Sequence, residues 1–224
     1  DRDKAAIHLK NGAKRVLVSA PSKGADRTVV YGVNHDTLTT GDVIVSNASC
    51  TTNCLAPVAK ALNDAIGIKR GFMTTVHSFT GDQPTLDTAH KDLYRARAAS
   101  LNMIPTTTGA ARAVGLVLPE LAGKLDGTAI RVPTPNVSAV DLTFEAGRET
   151  TAEEINDIIA KATQGPLAGV LDLTGRELVS SDFNHNPASS VFATDQTRVM
   201  DDGTMCRILS WYDNEWGFSN RMAD

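Results

Sequence analysis

The 224-residue chain has only three cysteines, at positions 50, 54 and 206. That is too few for a disulfide framework and suits a reducing compartment. It lacks a basic excess: 22 Lys and Arg stand against 26 Asp and Glu, a formal charge of -4, so a dedicated nucleic-acid partner is not expected. No stretch approaches the ~20 apolar residues that cross a bilayer, and no membrane partner is expected either. The N-terminus, DRDKAAIHLKNGAKR, does not read as a signal peptide. Internal repeats and low-complexity runs are absent. So is a second Cys or His cluster to complete four metal ligands, and no metal site is expected. What is present is 42% hydrophobic and 21% charged residues, the composition of a folded chain with a substantial core. A soluble, cytoplasmic protein is the expectation.

Hydrophobic patterning divides this chain. Asp3 to Leu9 has a short helical pattern. RVLVSAP (15–21), TVVYGV (28–33) and DVIVSNAS (42–49) read as short strands, the first as a parallel strand covered on both faces. One helix and three such strands cannot close a parallel sheet of their own. Residues 1–48 are therefore expected to be the tail of an α/β domain, with no GxGxxG turn in this chain. From 49 onward the pattern changes. Helices are expected over 51–66, 109–121 and 151–164, the last opened by a Thr151/Glu154 capping box with Ile155, Ile158, Ile159 and Ala162 on one stripe. Pro57 is tolerable near the start of the first helix and costly deeper inside. Strands are expected over 71–77, 128–133, 138–146, 189–195 and 204–213. Strands joined by helices without regular alternation predict a mixed, mostly antiparallel sheet with helices on one face, an α/β chain whose second part is an α+β domain.

The segment SNASCTTNC (46–54) joins a strand to a helix, so Cys50 should lie at a helix N-terminus, where free N–H groups lower a thiol's pKa. Taken alone, Cys50 and Cys54 read first as small buried hydrophobes, next as a nucleophile with a neighbour, and last as half of a metal or redox site. A nucleophile needs an imidazole beside it. His77 ends a strand and is the preferred partner, with His90 and His185 in loops as competitors. Arg95 and Arg97 in LYRAR, the threonines of PTTTGAA (105–111) and Arg131 before VPTPN are candidate anion binders. Each has an ordinary surface or capping alternative; their occurrence together with Cys50 favours a phosphorylated substrate.

SNASCTTNC, TTVHSFTGDQ, HKDLYRARAA, PTTTGAARAVG, RVPTPNVS and SWYDNEWGFSNRM occur here together and in order. With them the chain resembles phosphorylating glyceraldehyde-3-phosphate dehydrogenases of the bacterial glycolytic type. The resemblance implies that residues 1–48 are the end of a Rossmann-type NAD-binding domain and 49–224 most of a catalytic domain. An S-shaped loop near 78–104 would lie at a subunit interface of a homotetramer. It implies that Cys50 attacks the aldehyde of glyceraldehyde 3-phosphate, that His77 handles the protons, and that inorganic phosphate cleaves a thioester to 1,3-bisphosphoglycerate. Thr80, Arg95 and Arg131 would hold the substrate's phosphate. Ser49, Thr51, Thr108 and Gly109 would seat inorganic phosphate, again with Arg131. Asn214 would bind the nicotinamide carboxamide of NAD, NADP remaining open. Phe79 and Phe218 stand where many members carry tyrosine, with the aromatic packing retained. Asp126 and Glu145 are left as surface acids. Two alternatives stand beside this activity: a catalytic-domain fragment without turnover, and erythrose-4-phosphate dehydrogenase, whose members depart from the PTTTG seat that is intact here.

Overall fold

The computed structural model describes residues 1–224. Helix α1 (Arg2–Lys10) is followed by β1 (Val16–Val18), β2 (Arg27–Thr28) and β3 (Ile44–Ser46), which form a parallel sheet in the order β1-β3-β2. The strand expected over 28–33 is almost absent: only Thr28 lies in one. Asn34 explains this, because its side chain accepts from Val30 N–H at 2.8 Å and donates to the Thr28 carbonyl at 3.0 Å, curling the backbone into a turn.

Then come α2 (Cys50–Ile66), β4 (Ile68–Ser78), β5 (Ile104–Thr107), α3 (Ala110–Val117), β6 (Leu125–Val132), β7 (Ser138–Ala146) and α4 (Ala152–Gln164). Strands β8 (Leu171–Thr174), β9 (Ser190–Ala193), β10 (Arg198–Val199) and β11 (Met205–Tyr212) and helix α5 (Trp216–Ala223) complete the chain. The large sheet runs β5-β6-β4-β7-β11-β9-β8, with β10 on β11. Pairs β4/β6 and β8/β9 are parallel and the others antiparallel. Along β4 the alternation buries Met73, Thr75 and His77 while Phe72 and Val76 face outward. Helix α2 packs against both α3 and α4 and against the sheet's central strands. No helix is long and apolar enough to cross a membrane.

Three local expectations are corrected. The helix expected over 109–121 stops at Val117, because Pro119 removes a donor and forces a separate 3-10 turn over Pro119–Leu121. The capping box at α4 is half made. Thr151 Oγ1 accepts from Glu154 N–H at 3.2 Å, but Glu154 spends its carboxylate on Arg148 and Thr150. Pro57 sits in the interior of α2 without ending it; Ala56, Pro57 and Val58 are all buried there, and packing offsets the lost hydrogen bond. Asp126 pairs with Arg112, and Glu145 with Lys69 and Arg70. One continuous cluster of 30 buried apolar residues includes Val30 and Ala48 together with α2, α3, α4 and the sheet, so the N-terminal segment shares the main core.

Candidate active site

Cys50 opens α2, and the chain reaches it through a sharp bend. Ala48 takes φ 55°, a left-handed conformation that costs a non-glycine residue ~1–2 kcal/mol. Hydrogen bonds hold the bend. Ser49 Oγ accepts from Thr52 N–H at 3.1 Å, and Asn53 Nδ2 donates to the carbonyls of Asn47 and Ser49 at 2.8 and 3.0 Å. The Cys50 sulfur then lies 3.5 Å from His77 Nε2.

His77 is buried near the end of β4, and its register partner on the parallel neighbour β6 is Arg131. Arg131 Nη1 is 2.8 Å from His77 Nδ1 and 2.9 Å from the Ser78 carbonyl oxygen. His77 Nδ1 is itself 2.7 Å from that carbonyl. Nδ1 cannot serve both neighbours: it carries a hydrogen and donates to Ser78, or it accepts from Arg131, which only donates. Burial first, then the Arg131 charge, push His77 down to about 4.

The helix N-terminus predicts a lowered Cys50 thiol; the structure reverses the sign. Cys50 keeps partial exposure, yet protein surrounds the sulfur closely enough that burial pushes the thiol up. Hydrogen bonds from Thr51 and the Arg131 charge pull the other way without winning. Burial pushes Cys54 up to about 12 and Cys206 to about 11. His90 Nδ1 is occupied by the Asp92 N–H, and exposed His185 packs beside Trp216; neither bonds to Cys50.

The anion-binding candidates fall into two groups. Arg95 donates to Thr106 Oγ1 through Nε at 3.2 Å and Nη2 at 2.9 Å, and pairs with Asp82 and Asp92. Thr80 offers its N–H and hydroxyl to Gln83 Oε1 at 3.1 and 3.2 Å. Both are thus held by partners of the 79–106 segment. At the start of α3, Thr108 Oγ1 accepts from Ala110 N–H at 3.2 Å, and exposed Gly109 leaves the helix without a side-chain cap. Thr51 differs from its expected place in an anion seat. Its hydroxyl is buried 2.9 Å from the Tyr212 hydroxyl, which lies 2.9 Å from Thr75 Oγ1.

Asn214 has an oriented amide. Its Oδ1 accepts from the hydroxyls of Ser78 and Ser138, each at 2.8 Å. Ser138 accepts from Ser78 N–H at 3.1 Å, which directs its own proton to Asn214. The Nδ2 group is left with one long contact, 3.5 Å to Glu215 Oε1. A fixed donor without a close partner fits the carboxamide oxygen of a nicotinamide. Sequence reasoning missed Ser138 here, and elsewhere in the site Tyr212 beside Thr51, buried Gln83 beside Thr80, and Asp213. The buried Asp213 carboxylate accepts from the N–H groups of His185, Glu215 and Trp216 and from Asn136 Nδ2, between 2.7 and 3.0 Å. An aspartate just ahead of a helix was the available signal.

Residues 49–214 match the family pattern described as glyceraldehyde 3-phosphate dehydrogenase, C-terminal domain. The chain is 75% identical over 223 residues to glyceraldehyde-3-phosphate dehydrogenase of Cereibacter sphaeroides, covering 100% of this chain and 67% of that protein. It is 72% identical over 223 residues to the protein of the same name from Xanthobacter flavus, covering 100% and 66%. With glyceraldehyde-3-phosphate dehydrogenase 1 of Bacillus subtilis (strain 168) it shares 57% over 224 residues, covering 100% and 67%. The chain thus spans about two thirds of the length of these curated relatives. With the cysteine–histidine pair inside the matched segment, the chain belongs to the glyceraldehyde-3-phosphate dehydrogenase family.

Proposed function

We propose that this protein oxidises glyceraldehyde 3-phosphate and phosphorylates it to 1,3-bisphosphoglycerate, with NAD rather than NADP as its nicotinamide cofactor. The observation that carries this reading is the 3.5 Å approach of Cys50 Sγ to His77 Nε2 at the start of a helix. His77 accepts the thiol proton and the electron pair stays on sulfur. The sulfur adds to the aldehyde carbon, and the oxygen takes a proton back from His77, giving a hemithioacetal. Asn214 would hold the carboxamide of a bound nicotinamide cofactor, and that cofactor would supply the hydride acceptor. His77 removes the hydroxyl proton as the carbon is oxidised, leaving a thioester on Cys50. A phosphate oxygen then attacks the acyl carbon and the Cys50 thiolate departs. The thioester conserves the oxidation energy until phosphate, rather than water, takes the acyl group.

In this reading Thr80, Arg95 and Arg131 hold the substrate's phosphate, and Ser49, Thr108 and Gly109 seat inorganic phosphate. Thr51 sides with Cys50 and Tyr212. We assign residues 1–48 to the nucleotide-binding part and 49–224 to the catalytic part. The protein works in the cytoplasm as a homotetramer; Leu86, Leu93, Leu101 and Met103, between 74% and 81% exposed, give the 79–103 segment an apolar surface suited to a second copy. The test is nicotinamide reduction by the full-length protein with glyceraldehyde 3-phosphate and phosphate. Cys50→Ser should abolish it, and His77→Asn should lower kcat by ~10²–10⁴-fold. Turnover that survives Cys50→Ser would sink the proposal.

A further inference from the structure

Two non-glycine residues, Val137 and His185, stand in left-handed backbone at φ 69° and 63°. For a β-branched residue such as buried Val137 this is a strained conformation, which persists only where its surroundings over-determine it. On one side the Val137 side chain packs with Phe183, Ala188 and Val191. On the other, a single carboxylate oxygen holds both segments: Asp213 Oδ2 accepts from Asn136 Nδ2 at 2.9 Å and from His185 N–H at 2.8 Å. Asp213 Oδ1 accepts from Glu215 N–H at 3.0 Å and Trp216 N–H at 2.7 Å, so the turn that carries Asn214 into α5 hangs on the same group. Capping that turn needs Oδ1 alone. The bonds of Oδ2 reach segments outside α5, from a side chain buried to 2% exposure.

What the strained segment delivers is Ser138. It opens β7 directly after Val137, and its buried hydroxyl donates to Asn214 Oδ1 at 2.8 Å while accepting from Ser78 N–H at 3.1 Å. Turning the Asn214 amide over would bring Nδ2 against Ser78 and Ser138. Their two hydroxyl protons would then be left with only each other's oxygens, 3.5 Å apart, in a place without water. The amide is thus fixed, with Nδ2 facing away from the serines, only while Ser138 stays where Val137 puts it. We propose that Asp213 is a positioning residue for the cofactor: by tying down Asn136 and His185 it keeps the Ser138 hydroxyl on Asn214 Oδ1, and so keeps Asn214 Nδ2 turned toward a nicotinamide carboxamide. The proposal rests on the dehydrogenase reading and deepens it, because it adds to the contact residue Asn214 the groups that decide which end of its amide meets the cofactor.

The test compares the binding of NAD with that of ADP-ribose, the same dinucleotide without its nicotinamide, to the full-length protein by isothermal titration calorimetry. A residue that only supports the fold weakens both ligands or neither. Asn214→Ala calibrates the nicotinamide contact and should weaken NAD ~10-fold while leaving ADP-ribose within ~2-fold. Asp213→Asn keeps the size of the side chain but makes one of its two acceptors a donor, and it should reproduce that selective loss. Asn136→Ala cuts the link toward Val137 without touching the bonds to α5, and Ser138→Ala removes the hydroxyl. Both should show the same selectivity in part, and they decide the matter should Asp213→Asn fail to fold. An Asp213→Asn or Ser138→Ala protein that shifts both ligands equally, or neither, while Asn214→Ala is selective, overturns the positioning role and leaves the function standing. An Asn214→Ala protein that binds both ligands as the wild type does overturns the cofactor contact, and with it the functional reading on which the proposal rests.

Discussion

At the residue scale, three cysteines with the same chemistry are separated by their surroundings. Burial raises all of them, but Cys54 at about 12 and Cys206 at about 11 have almost no thiolate at neutral pH. Cys50 alone has an imidazole at 3.5 Å and partial exposure. Iodoacetamide near neutral pH should therefore label Cys50 first; mass-spectrometric mapping checks this, and an adduct that forms first on Cys54 would refute it. His77 makes a second prediction. Its folded value of about 4 lies below the ordinary 6.5, so between these values the unfolded chain binds more protons than the folded one. Stability then rises with pH through this window and is lost as the pH falls from about 6.5 toward about 4. Denaturant titrations of wild type and His77→Asn should diverge there, with the variant losing less stability on acidification. Parallel curves would show that another group governs the acid side. The Cys50–His77 pair of the candidate site was legible because chemistry marks it: a Cys at a strand-to-helix junction and a His at a strand end, which the structure brings to 3.5 Å. The orientation of Thr51 was not, since the competing hydroxyl belongs to Tyr212, 161 positions away.

At the element scale, local signals worked where local forces decide. The strand over 138–146 and the helix beginning after Thr151 have their own periodicity and cap, and they form as expected. Strands β5 and β8 were illegible, because each is 4 residues long and exists through its neighbour's hydrogen bonds rather than its own pattern. Strand 28–33 failed for the opposite reason, as the Asn34 side chain offered its backbone a rival partner. The register that matters for the site is β4 against β6, which sets His77 beside Arg131. Gly127 makes this pairing possible: a Cβ there would come 2.5 Å from the Met73 carbonyl oxygen. Gly127→Ala should push the two strands apart, lowering stability by ~1–3 kcal/mol. It should also slow Cys50 alkylation at neutral pH, because the imidazole moves with β4. A variant with unchanged melting and unchanged labelling would show that the ladder yields without consequence.

For the whole molecule, the question is how a small parallel sheet stays attached to a large mixed one. The contacts are few and specific. Val30 and Ala48 enter the main core. Gly32, at φ 80°, leaves room for Val170, which a Cβ would meet at 3.1 Å. Arg221 of α5 reaches across to the small sheet's segment through its guanidinium, 5.8 Å from the centre of the Tyr31 ring, while its hydrogen bond to the Gly169 carbonyl at 3.1 Å and its pairing with Asp224 at 2.9 Å hold that guanidinium in place. It is 9% exposed, so its stacking and its hydrogen bonds count for more than those of a surface arginine. The strands it helps to hold, β1 to β3, are each 3 residues or fewer and have little stability of their own. Arg221→Ala should therefore act unevenly, at a total cost of ~1–3 kcal/mol. Amide hydrogen exchange should speed up across 16–46 while β4, β7 and β11, at the centre of the large sheet, keep their protection. Cys50 should label at its wild-type rate, because the bend before α2 is held by Ser49 and Asn53 and not by Arg221. Equal loosening of both sheets would mean that the shared core, rather than this arginine, binds the two parts into one cooperative unit.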